Sequence, residues 1–168
     1  MDFHIVGVDP GLSGAIACIG PGGMLWQAIQ STPTLTLKQG KKTKHEHDLA
    51  EMRKLVDGLP RPLVAAVELT HSMPGQGVRS MWSMGFGVGV WEGLFAGMEI
   101  GVTRVAPQTW RRVMLAGVKR EGKDASVWRA KQLWPKVKLN ETNKGKREGQ
   151  AEALLIAEWC RRSIVGLA

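Results

Sequence analysis

Two apolar runs that each end on a carboxylate constrain this chain more than any other feature. Residues 5–11, Ile-Val-Gly-Val-Asp-Pro-Gly, form a continuous run that stops at Asp9 and turns at once. A run of this kind bounded by Pro-Gly reads as a strand buried on both faces. Residues 63–69, Leu-Val-Ala-Ala-Val-Glu-Leu, repeat the pattern and place Glu68 at a second strand mouth. A half-buried charge costs several kcal/mol, of order 2–5, unless a cation or donor compensates it. Asp9 therefore either caps its own Pro-Gly turn or shares a compensating partner with other acids.

The remaining composition narrows the partner. The chain has 168 residues, 43% of them hydrophobic, which suits one domain with a single real core. A formal net charge of +8 favours a polyanion, and nucleic acid is the first candidate. No stretch reaches the roughly 18 apolar residues of a spanning helix. The N-terminus lacks a basic flank and a small-residue cleavage site, so no membrane partner and a cytoplasmic location are expected. Cys18 and Cys160 lie far apart inside apolar runs and read as reduced core residues.

Along the chain, residues 14–19 and 24–29 read as strands joined by a Gly-rich turn, making an antiparallel meander with the opening strand. Residues 31–47 are polar and Lys-rich, and are expected to form a mobile surface loop. Their His45-Glu46-His47 triplet does not read as a metal site, because positions i and i+2 do not share a helix face. Residues 48–59 have helical spacing that ends at Gly58 and Pro60. A loop over residues 70–78 follows Glu68, then a small-residue helix over about 80–98, a strand over 100–105, and helices over 107–115 and 123–133. Gly85, Gly87 and the residues after them miss the last glycine of a dinucleotide fingerprint, since Val90 stands there. Gly89, Gly93 and Gly97 share one helix face, which admits another backbone, either the sheet or a second subunit.

Charge concentrates in the second half. Between Arg104 and Arg147 thirteen Lys or Arg face only Glu121, Asp124 and Glu141, a net of +10. That imbalance exceeds what solubility needs. Lys119, Arg120, Lys123, Lys144, Lys146 and Arg147 are the expected phosphate contacts, and Trp110, Trp128 and Trp134 are core residues or, where exposed, stacking platforms. The last helix, from about Lys146 to Arg162, carries Glu148 and Glu152 on one face of its first turns. As an exposed pair they would merely repel; joined with Asp9 and Glu68 they would form a divalent cation site.

The segments 5–14, 67–77 and 105–110, with Lys123 and the 151–157 helix, resemble the RuvC-type Holliday-junction resolvases of the ribonuclease H-like superfamily, in the branch found in phages, bacteria and chloroplasts. The resemblance covers most of the chain, residues 1–168 being read as one nuclease domain, and rests on ordered co-occurrence of these segments. It implies an α/β ribonuclease H-like fold with a mixed five-stranded sheet, three strands antiparallel and then parallel ones, flanked by helices. It further implies a homodimer and a metal site of Asp9, Glu68, Glu148 and Glu152. In the bacterial pattern the last two acids are three apart, a spacing that here lands on Gly149; Glu158, further along, is the substitute.

The implied activity is metal-dependent paired nicking of four-way DNA junctions in recombination and repair, leaving 5′-phosphates, with two Mg²⁺ or Mn²⁺ per site. Lys123 either contacts the phosphate near the cut or is an ordinary helix lysine. His71, Met73 and Gln76 either read bases at the branch point or only shape the site. A bacterial or phage nucleoid setting follows from the same resemblance. Rival classes are a non-catalytic nucleic-acid-binding relative, a broader branched-DNA nuclease, and a sugar-kinase-type phosphotransferase, which needs two such domains.

Overall fold

The computed structural model describes residues 3–40, 42–69, 75 and 77–164. Strands β1 (His4–Asp9), β2 (Ala15–Ile19) and β3 (Leu25–Ser31) form the expected meander, with a 3-10 turn at Pro21–Gly23 between the last two. After these come β4 (Thr34–Gln39), β5 (Lys42–His47), helix α1 (Leu49–Asp57) and β6 (Leu63–Glu68). Helix α2 (Val78–Gly97), β7 (Gly101–Val105), and helices α3 (Pro107–Met114), α4 (Gly122–Leu133) and α5 (Lys144–Ile164) complete the order. The main sheet runs β3-β2-β1-β6-β7, with β1–β6 and β6–β7 parallel. This is the mixed five-stranded sheet expected from the sequence.

Side-chain alternation along the central strands builds two cores. Ile5, Ala15, Ala17, Ile19 and Ala66 face α3, α4 and α5, while Val6, Val8, Ile16, Cys18, Ala65 and Val67 face α1 and α2. Cys18 and Cys160 are buried and free, as expected. Glycine sets the closeness of α5: a Cβ on Gly7 would collide with the Ala153 carbonyl and the Ala157 amide. The helix therefore lies backbone to backbone on the middle strand.

The mobile loop expected over 31–47 is corrected. The segment is a two-stranded antiparallel sheet, paired from Thr34↔His47 to Gln39↔Lys42. Alternating Thr34-Leu35-Thr36-Leu37 is a strand pattern, and Gly40 at φ +61° supplies the positive dihedral that a two-residue hairpin connection requires. Lysines on an exposed ribbon discourage further pairing, and they hid the alternation in the sequence. Asp48 then caps α1, accepting from the Glu51 amide at 3.1 Å, and the helix ends at Gly58 as read.

Candidate metal and phosphate site

Three elements deliver acids to one place. Parallel β1 and β6 end side by side at Asp9 and Glu68, and the start of α5 packs over the turn that follows Asp9. A Cβ on Gly149 would lie 2.6 Å from the Ser13 carbonyl oxygen and 2.7 Å from the Gly14 Cα. Position 149 therefore has no room for the acid that the bacterial spacing would put there, and the neighbouring Glu148 and Glu152 are the acids available.

Asp9 does cap its turn, accepting from the Gly11 amide at 3.2 Å. It also belongs to a coupled set. Burial raises its pKa above the usual carboxylate range, against the lowering effect of the Gly11 bond and of the Lys123 and Arg111 charges. Glu68 is pushed up to about 7, first by burial, with the negative charges of Asp9 and Glu152 adding to it and a Trp110 hydrogen bond opposing it. Glu152 is likewise raised by burial and by Asp9, while Arg111 and Lys123 pull it back. These three carboxylates sense one another directly.

Cations and donors of the chain meet these acids. Arg111 Nη2 donates to Glu152 Oε1 at 2.9 Å, and the buried Ser126 hydroxyl reaches the same oxygen at 3.4 Å. Lys123 Nζ lies 3.8 Å from Glu148 and 3.9 Å from Glu152, bridging the two. Lys144 adds a contact to Glu148 at 3.7 Å. Trp110 Nε1 donates to Glu68 Oε2 at 2.6 Å. Among the described residues no three His, Cys, Asp or Glu side chains form a ready-made cation cage. The donor set nevertheless fits a hard divalent cation: it is all carboxylate oxygen, and Glu68 and Glu152, raised first by burial, are raised further by the negative charge of Asp9, a repulsion that a cation would relieve.

The other expected site residues separate by position. Glu158, the expected substitute, pairs with Arg161 and Arg162 of its own helix at 2.7–2.9 Å. Lys119 and Arg120 are exposed in the turn before α4, with Arg120 over the Trp128 ring at 6.0 Å. Arg147 donates to the Glu141 carbonyl at 3.5 Å, and Lys146 lines a cleft with Ser31, Asp48 and Lys54. His71, Met73 and Gln76 lie outside the described residues. A groove of about 800 Å³ between the hairpin and α2 opens beside the Asp9 turn, lined by Leu12, Lys42, Lys44, Arg79, Trp82 and Phe86 among others. His45 and His47 are apart in role: His45 pairs with Thr36 at 3.2 Å, and His47 is buried against the Pro10 carbonyl at 3.4 Å.

Sequence reasoning missed Arg111, Ser126 and the bond from Trp110. Arg111 and Trp110 follow one another in α3, yet each meets an acid more than forty residues away, and no local pattern announces that contact.

Comparison with known proteins defines the class first. No family model matches the chain. Its fold is that of RuvC, a ribonuclease H-like fold: Thermus thermophilus RuvC in complex with Holliday junction substrate aligns over 99% of this chain and 98% of that one, at a TM-score of 0.59 and 16% identity. A second Thermus thermophilus RuvC structure aligns over 96% and 97%, at a TM-score of 0.56 and 14% identity. A particular relative then emerges from sequence. The Holliday junction resolvase MOC1, chloroplastic, of Chlamydomonas reinhardtii is 36% identical over 101 residues, which is 60% of this chain. The chain spans about a tenth (11%) of that relative's length. The sequence relative supports the resemblance to Holliday-junction resolvases read from the sequence, and the solved structures support the fold that it implies.

Proposed function

We propose that the chain is a crossover junction endodeoxyribonuclease, a single nuclease domain that cuts four-way DNA junctions and leaves 5′-phosphates. The observation that carries this reading is the cluster of Asp9, Glu68 and Glu152 at the strand mouths and helix start of a RuvC-like fold. Asp9, Glu68 and Glu152, with Glu148 beside them, would hold two Mg²⁺ or Mn²⁺. Bound there, divalent ions lower the pKa of water and stabilise the charge of the scissile phosphate. Arg111, paired with Glu152, and Lys123, beside Glu148 and Glu152, would take a DNA phosphate once divalent cations held the acids. No side chain of this cluster is required as a nucleophile. The basic turn at Lys119 and Arg120 and the α5 start at Lys144 would grip the backbone, so affinity falls steeply with salt.

The working unit is a homodimer paired through α2. Among the described residues nothing lies within 4 Å of a Cβ built on Gly85, Gly89, Gly93 or Gly97, so this glycine face does not serve the sheet. Trp82 and Phe86, 71% and 43% exposed and mutually stacked, extend the same face by steps of three and four residues. A two-fold axis near Gly89 would lay these large side chains over Gly93 and Gly97 of a second copy. Among the described residues no helix is long and apolar enough to cross a membrane. A nucleoid-associated site of action, wherever the DNA is held, would suit this substrate.

The deciding experiment incubates the purified chain with labelled four-way junction, fork and duplex, with and without Mg²⁺. Symmetric, Mg²⁺-dependent nicks confined to the junction support the reading. Binding without cutting under every metal condition would overturn it in favour of a non-catalytic relative.

A further inference from the structure

We propose that Trp110 is a positioning residue for Glu68, fixing which oxygen of that carboxylate is offered to the acid cluster. This rests on the reading of Glu68 as a cation ligand. The indole is fully buried, and its N–H donates to Glu68 Oε2 at 2.6 Å, which leaves Oε1 for another partner. Burial alone does not demand such a bond: Trp91 is just as buried, and its Nε1 has no hydrogen-bond partner among the described residues. The fold tolerates an unpaired indole in one core and aims the other at a catalytic acid.

Backbone geometry holds donor and acceptor together. The Leu69 amide, just past Glu68, donates to the Val105 carbonyl at 2.8 Å, tying the end of β6 to the end of β7. One residue later the chain enters α3 through extended Ala106 and Pro107 at the first helical position. The first turn of α3 therefore projects from the strand end beside Glu68. Its next residue, Arg111, lies over the Trp110 ring at 5.1 Å and reaches Glu152 at 2.9 Å. A single helical turn thus grips an acid from β6 and an acid from α5, and the stacked arginine limits rotation of the indole.

Five proteins test this: wild type, Trp110→Phe, Glu68→Gln, the double variant Trp110→Phe with Glu68→Gln, and a protein carrying 3-benzothienylalanine at position 110, which keeps the indole shape but replaces the N–H with sulfur. Mn²⁺ binding is measured by calorimetry without DNA, junction binding without metal, and single-turnover cleavage across Mg²⁺ concentrations. Outer-shell donors to metal ligands typically change affinity by about 10–100-fold. The expected result is a loss of that size in Mn²⁺ affinity, a matching rise in the Mg²⁺ needed for half-maximal cleavage, and unchanged junction affinity. Added to Glu68→Gln, the Trp110 change should cost no further Mn²⁺ affinity. If Trp110→Phe does not fold, the sulfur isostere decides alone. An isostere that binds Mn²⁺ like wild type, while Glu68→Gln does not, overturns the role of Trp110 and leaves Glu68 as ligand. Wild-type Mn²⁺ binding by Glu68→Gln would instead remove the metal assignment on which this inference stands.

Discussion

Two buried glutamates six residues apart on α5 have opposite electrostatics. Burial would raise the pKa of Glu158, but hydrogen bonds from Arg161 and Arg162 outweigh it and hold the carboxyl below its usual range. Its partners sit three and four residues on along the same helix, bonded at 2.7–2.9 Å. Glu152 is equally buried, shares its cations with other acids, and is held above the usual range. A charge that the helix neutralises for itself is structural, whereas one left partly unmet by several elements is available for chemistry.

Removing each carboxylate in turn should separate these roles. Glu152→Gln, like Asp9→Asn and Glu68→Gln, should cut junction cleavage to below a tenth of wild type, a barrier rise above about 1.4 kcal/mol, with junction binding retained. Glu158→Gln should keep cleavage while costing about 2 kcal/mol of stability in urea unfolding, since three charge-assisted hydrogen bonds are lost or weakened. Cleavage lost in Glu158→Gln with normal stability would erase the distinction.

The pH response should divide in the same way. Glu68 binds its proton more tightly folded than unfolded, so its contribution is full below about 4.5 and lost as pH rises through about 7. Glu158 has the opposite sign: its contribution is present above about 4.5 and lost as pH falls further. In EDTA, stability should therefore fall by of order 2 kcal/mol between pH 5 and 8 in wild type and by less in Glu68→Gln, where the raised carboxyls of Asp9 and Glu152 remain. Mg²⁺ at pH 8 should raise the melting temperature of wild type but not of Glu152→Gln.

A third contrast sets the buried glycines against the open ones. Gly149→Ala must displace the Asp9 turn and should cost about 1–3 kcal/mol together with cleavage, because its Cβ meets backbone. Gly93→Leu has free space, so the folded monomer should survive while sedimentation shows the dimer lost. A dimer indifferent to Gly93→Leu would count against pairing through α2. The smallest effect is expected from His71→Ala and Gln76→Ala: a changed choice of cut dinucleotides on a mobile junction with nearly unchanged affinity.

The five strands of the main sheet and the helix order were legible because each has a local signature, such as an apolar run ending on Asp9. The hairpin was hidden by lysines that masked its alternation, so its strand character had to be seen in the pairing from Thr34 to His47. The grip of Trp110 and Arg111 on Glu68 and Glu152 was illegible for a different reason, since those contacts exist only once β6, β7 and α5 are assembled. The pairing of Glu158 could have been read from Arg161 and Arg162 three and four positions later.

The glycine contacts of α5 also have a mechanical meaning. Gly7 bears on the helix at Ala153 and Ala157, and the helix bears on Ser13 and Gly14 at Gly149. Two bearings about a turn or more apart remove both freedoms a packed rod normally keeps, sliding along its axis and rolling about it. A one-residue slip would move Glu152 by about 1.5 Å and swing it by about 100°. The separation between Asp9 and Glu152 is thereby gauged by main chain, and rotamer motion is left to adjust only the last fraction of an ångström.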